Sequence, residues 1–132
     1  MIVDTSVLIA ILKREPNFEA FLEVMVGAVN PLSISAATMF EAHTVVQRLG
    51  VDGLETQLGQ LIEDVSITIQ PFAQHQLPIA ATAYRTYGKG SGHAAQLNFG
   101  DCFAYALAKD RAEPLLFKGN DFAQTDLIPA LA

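Results

Sequence analysis

The sequence has 132 residues, 51% of them hydrophobic and 17% charged, with a formal net charge of −6 and a pI near 4.8. That length predicts one domain, with a core large enough to do without disulfides or a structural metal. The single cysteine, Cys102, excludes an internal disulfide and a cysteine-based zinc cluster. No stretch approaches the ~18 uninterrupted apolar residues of a membrane helix. Asp4 falls where the apolar part of a secretion signal would begin, so a cytoplasmic location without membrane association is expected.

In chain order, residues 1–4 read as a short apolar strand. Residues 5–14 carry a helical apolar face through Val7, Leu8, Ile11 and Leu12. Pro16 disfavours helix at Glu15 and suits the first turn of a second helix, expected over 16–26. A turn over 27–31 leads to a strand over 32–35. Helices follow at 37–49 and 52–64, separated by Gly50. Alternating β-branched residues at 66–70 predict a third strand. A helix over 74–87 ends at Gly88, and 89–100 is a Gly-rich polar loop. Then come a helix over 101–111, a strand over 114–117 and a short fifth strand near 126–128. Strands separated by helices imply an α/β fold, a mainly parallel sheet of four to five strands covered on both faces. Sites in such sheets form outside the carboxyl ends of the strands, at the switch point of the strand order.

That rule turns a list of acids into a spatial prediction. Asp4 ends the first strand, and Asp121 follows the fourth. Asp101 opens the apolar run Cys102 to Ala108, and Glu41 lies in a nearly uncharged helical segment. Each has a structural explanation: helix cap, turn, dipole partner, exposed helix face. Thr5 and Ser6 offer alternative caps, so Asp4 is not required as one. Converging carboxylates would repel at ~4 kcal/mol per pair at ~4 Å and an effective dielectric of ~20, so they need protons or cations. Oxygen-only ligands select hard ions such as Mg²⁺ or Mn²⁺. A carboxylate cage holding such ions activates water against a phosphodiester. Two Mg²⁺ ions would bring the formal charge from −6 to −2, so the acidity that argues against nucleic acid belongs in part to the site.

The runs Ile2-Val3-Asp4-Thr5-Ser6-Val7-Leu8, Phe40-Glu41-Ala42, Gly100 to Ala108 and Leu115 to Phe122 resemble a PIN domain. More narrowly, the chain is similar to the VapC toxins of type II toxin–antitoxin systems, across its whole length. The resemblance implies a three-layer α/β/α sandwich forming one PIN domain over 1–132. It also implies Mg²⁺-dependent endoribonuclease activity on structured RNA and inhibition by a VapB-type antitoxin. Asp4, Glu41, Asp101 and Asp121 match the family's acidic quartet as catalytic metal ligands. Thr5 or Ser6 matches a hydroxyl accompanying the first acid, and Asp126 a less constant fifth acid, held in reserve. A homodimer is expected, with operator DNA reached only through the antitoxin.

Arg85, Lys89 and Lys118 are the bases nearest the site in sequence and the candidate RNA contacts. His43, His75 and His93 show no metal-ligand spacing, so zinc hydrolysis has no support. The apolar face of Phe18, Phe21, Leu22 and Met25 divides between core and a groove for a partner helix. Two other classes compete. An aspartyl-phosphate domain lacks its second aspartate after Asp4-Thr5-Ser6, and no Gly-x-Gly-x-x-Gly follows the first strand for a dinucleotide. A non-catalytic scaffold acting through an antitoxin on operator DNA would keep the fold and lose the chemistry.

Overall fold

A computed structural model describes residues 1–131. Four strands, β1 (Ile2–Val3), β2 (Leu32–Ser35), β3 (Ile67–Gln70) and β4 (Leu115–Leu116), form one parallel sheet in the order β3-β2-β1-β4. Among the described residues, six α-helices connect them: α1 (Thr5–Leu12), α2 (Phe18–Val26), α3 (Ala36–Leu49), α4 (Leu54–Asp64), α5 (Leu77–Tyr87) and α6 (Asp101–Arg111). Crossovers between parallel strands are right-handed. The steps β1 to β2 and β2 to β3 run one way across the sheet, and β3 to β4 runs back the other way. Their helices must therefore cover opposite faces.

The side chains show both layers. Ile2 and Leu115 face a core shared with Ala83 of α5 and Tyr105 and Leu107 of α6. Their neighbours Val3 and Leu116 face the other core, with Leu8 of α1, Phe21 of α2, Met39 of α3 and Leu58 of α4. Successive strand residues thus feed opposite layers, the period of two that a sheet imposes. The sequence expectation of a three-layer α/β/α sandwich holds. Among the described residues, no helix is long and apolar enough to cross a membrane.

Three local expectations change. Pro16 lies outside α2, because Glu15 to Phe18 close a turn through Phe18 N–H donating to Glu15 O at 3.1 Å. Asn17 sits at φ 70° and ψ 16° there. Proline followed by a left-handed Asn matches a type II turn, which outcompetes the helical first turn. The helix expected over 74–87 divides into a 3-10 turn at Gln74–Gln76 and α5, whose first turn holds Pro78 and so lacks one N–H donor. The fifth strand is reduced to one bridge between Leu115 and Pro129, closed by Leu115 N–H to Ile128 O at 2.9 Å and Ala130 N–H to Leu115 O at 2.8 Å.

Leu107 is 1% exposed in the core between α6 and the sheet. Leu107→Ala should lower unfolding stability by roughly 2–5 kcal/mol, the range for a buried leucine truncated to alanine, as read by chemical denaturation.

Candidate active site

The strand order reverses between β1 and β4, and a cleft of about 460 Å³ opens there, beyond the carboxyl ends of the strands. Asp4, Ser6, Glu15, Glu41, Asp101 and Lys118 are among the residues lining it.

Asp4 leaves β1 with its N–H donating to Leu116 O at 3.0 Å, so its backbone is pinned to the end of β4. Asp4 also caps α1, which corrects the expectation that Thr5 or Ser6 would relieve it of that duty. Its Oδ2 accepts from Ser6 N–H at 3.0 Å and from the Ser6 hydroxyl at 2.6 Å. The residue is 4% exposed, and its Oδ1 is buried with no hydrogen-bond partner. Burial raises the Asp4 pKa, opposed by the Ser6 hydrogen bonds and reinforced by the charge of Glu41.

Ser6 joins the two strand ends. Its Oγ donates to Asp4 and accepts the Lys118 N–H at 3.0 Å. The Thr5 hydroxyl is taken by Thr38 O at 2.9 Å and is buried, so it ties α1 to α3.

Asp101 opens α6 in a reciprocal pair with Asn98. Asn98 N–H donates to Asp101 Oδ2 at 2.9 Å, and Asp101 N–H donates to Asn98 Oδ1 at 2.9 Å. This is the logic of a capping box, and it fixes where the carboxylate stands. Burial pushes the Asp101 carboxyl up to about 7 against the Asn98 hydrogen bond, with Asp4, Glu41 and Asp121 adding repulsion. Asp4, Glu41 and Asp101 line the same cleft, and Asp121, outside its lining, adds to the repulsion at Asp101. Glu41 reaches this point from α3 by packing on Gly100, where a Cβ would overlap Glu41 Oε2. Asp121 is exposed and precedes the 3-10 turn Phe122–Gln124.

The remaining predicted residues separate. Lys118 lines the cleft, with its Nζ paired to Glu15 Oε2 at 3.2 Å. Arg85 and Lys89 are exposed at the end of α5 and just beyond it, outside the cleft lining. Asp126 accepts from the Tyr105 hydroxyl at 2.7 Å and pairs with Lys109 Nζ at 2.8 Å. Those bonds give it a structural role. Sequence reasoning missed Asn98, Gly100 and Glu15. An Asn-x-x-Asp spacing ahead of an apolar helix would have signalled Asn98. Nothing local marks Glu15 or the close approach at Gly100.

Among the described residues, no three acidic, histidine or cysteine side chains are grouped closely enough to enclose a cation unaided. The donors nevertheless fit a hard divalent ion. Asp4 Oδ1 lacks a partner, every donor is a carboxylate oxygen, and Mg²⁺ keeps several waters beside one or two carboxylates.

The PIN domain family model matches residues 1–127. Ribonuclease VapC28 of Mycobacterium tuberculosis is 44% identical over 131 residues, covering 99% of this chain and 98% of the relative. Ribonuclease VapC42 of the same organism is 40% identical over 130 residues, covering 98% of each. In fold, the chain resembles the crystal structure of M. tuberculosis VapC20, described as a Sarcin-Ricin loop cleaving toxin. The TM-score is 0.75 at 12% identity, over 96% of this chain and 95% of that one.

The Asp101 pKa sets a sign for pH dependence in chelator. Folding raises it from 3.8 to about 7, so the folded state binds the proton more tightly. The stabilisation is complete below the unfolded value and is lost as pH rises to about 7. The melting temperature of wild type relative to Asp101→Asn should therefore fall across that window. A flat difference would contradict the coupling.

Proposed function

On the premise that this chain belongs to the PIN-domain family, as a VapC ribonuclease and toxin of a toxin–antitoxin system, we propose that its endoribonuclease activity depends on Mg²⁺ held at the β1/β4 cleft. Mn²⁺ is a workable substitute. The substrate is structured RNA, and a VapB-type antitoxin is the inhibiting partner. The reading takes the whole chain as one PIN domain. The observation that carries it is the meeting of Asp4, Glu41 and Asp101 in one cleft, with a buried, unpartnered Oδ1 on Asp4.

Asp4 and Asp101 would hold the cation, with Glu41 and Asp121 completing its surroundings. Bound there, a divalent ion lowers the pKa of a water and offsets charge developing on the phosphodiester. The chain's own groups do the rest. Ser6 orients the Asp4 carboxylate, and Asn98 orients that of Asp101. Glu41, half-buried at the cleft wall, would accept the proton of the attacking water. Lys118, once released from Glu15, supplies positive charge to a substrate phosphate.

Asp4→Asn and Asp101→Asn should each lower divalent-dependent RNA cleavage by more than about a hundredfold, with folding and antitoxin binding retained. Wild-type cleavage should vanish in EDTA and return with Mg²⁺. If both variants cleave and arrest growth like wild type, the chain acts as a scaffold and the catalytic reading fails. Ser6→Ala should weaken cation affinity about ten- to hundredfold, measured by Mg²⁺ titration of cleavage, since it removes the group that orients Asp4.

A further inference from the structure

Two large aromatic side chains that stand next to the acids in the sequence are exposed. Phe40, immediately before Glu41, is 69% exposed, and Phe99, immediately before Gly100 and Asp101, is 74% exposed. They come from different elements. The packing of Glu41 on Gly100 brings those elements together, so each phenylalanine is one residue along the chain from that contact. Phe99 is not a loose ring. It stands 5.0 Å and 86° from Phe103, which is in turn braced by Phe72 at 4.8 Å and 88°. Beside it runs an apolar slot of about 390 Å³, lined also by Leu77 and Tyr84 and bounded by the first turn of α6.

The cleft offers little to grip a phosphate backbone. The chain carries a net charge of −6, and the one lysine lining the cleft is paired with Glu15. A single strand of RNA held near such a centre needs a contact that is independent of charge. Stacking of a base on an aromatic ring is that contact, and it tolerates any sequence because every base has a π-face.

We propose that Phe40 and Phe99 are stacking residues that hold the unpaired nucleobases flanking the scissile phosphate, Phe99 at the mouth of the slot beside Asp101. The proposal rests on the ribonuclease reading. Both are positioning residues: they hold the strand and take no part in proton transfer. A protein segment covering the same rings is the competing occupant.

The chain has no tryptophan, so Phe99→Trp and Phe40→Trp each introduce a single tryptophan that can be excited selectively over the three tyrosines. In an Asp101→Asn background, each is titrated with a short single-stranded oligoribonucleotide and with an abasic ribose-phosphate oligomer of equal length. The expected result is saturable quenching by the base-containing strand alone. In the otherwise wild-type chain, Phe99→Ala should raise KM roughly tenfold with kcat retained. Phe99→Tyr should restore KM, and Phe99→Leu should not. Equal quenching by the abasic oligomer, no quenching, or an unchanged KM overturns the proposal. So does a Phe99→Ala variant whose only change is a lower oligomeric mass, which would assign the ring to a protein interface. Should Phe99→Ala not fold, the Tyr and Leu pair and the tryptophan reporters decide alone. If wild type cleaves no RNA under any cation, the ribonuclease reading fails, and quenching still judges stacking by itself.

Discussion

The parallel pairing of β1 with β4 is the contact on which the site depends. It is two residues long, Ile2 opposite Leu115 and Val3 opposite Leu116. It is also where the sheet turns back on its own strand order. Without it, Asp4 and the segment holding Lys118 would belong to separate edges. With it, one hydroxyl, that of Ser6, spans both strand ends. So short a ladder holds because each of its side chains is fully buried between two helical layers. Burial of those apolar groups secures the alignment far more than the few hydrogen bonds do.

The carboxylates oppose that alignment. Asp4 is held in a buried position that disfavours its charge, and Asp101 feels three acidic neighbours. The fold keeps them in place with fixed local devices. These are the Asp4 cap on α1, the Asn98–Asp101 reciprocal pair and the glycine that lets Glu41 approach α6. Two bases are spent elsewhere, since Lys109 pairs with Asp126 and Arg111 with Glu113. Exposed pairs of this kind contribute little stability. With those bases engaged, Lys118, itself paired with Glu15, is the base that lines the acidic cleft.

Much of this was legible from residue order. Helical periodicity located α1, α3 and α6, and β-branched alternation located β3, because those signals are local. The rule about strand ends pointed to Asp4 and Asp121, and Asp101 stood out at the head of an apolar helix, but Glu41 and Asp121 leaned on the resemblance to the PIN family. What failed was decided by competition or by distance. Pro16 was drawn into a turn because Asn17 accepts a left-handed backbone. The segment near 126–128 had strand-like residues but found only one bridge, as Asp126 was held by Tyr105 and Lys109. Thr5 and Ser6 looked interchangeable in sequence. Only their partners, 33 and 112 residues away, separate a hydroxyl that braces α3 from one that serves the cleft.

The bare Oδ1 of Asp4 has a consequence for the life of the protein in a cell. A buried oxygen without a donor is an unmet demand that the native state carries and the unfolded chain does not. Any species that satisfies it binds the native state selectively and shifts the population away from forms that proteases can cut. On the proposed reading, the divalent cation pool would set how long each molecule survives as well as how fast it turns over. Abundance and potency would then rise and fall together.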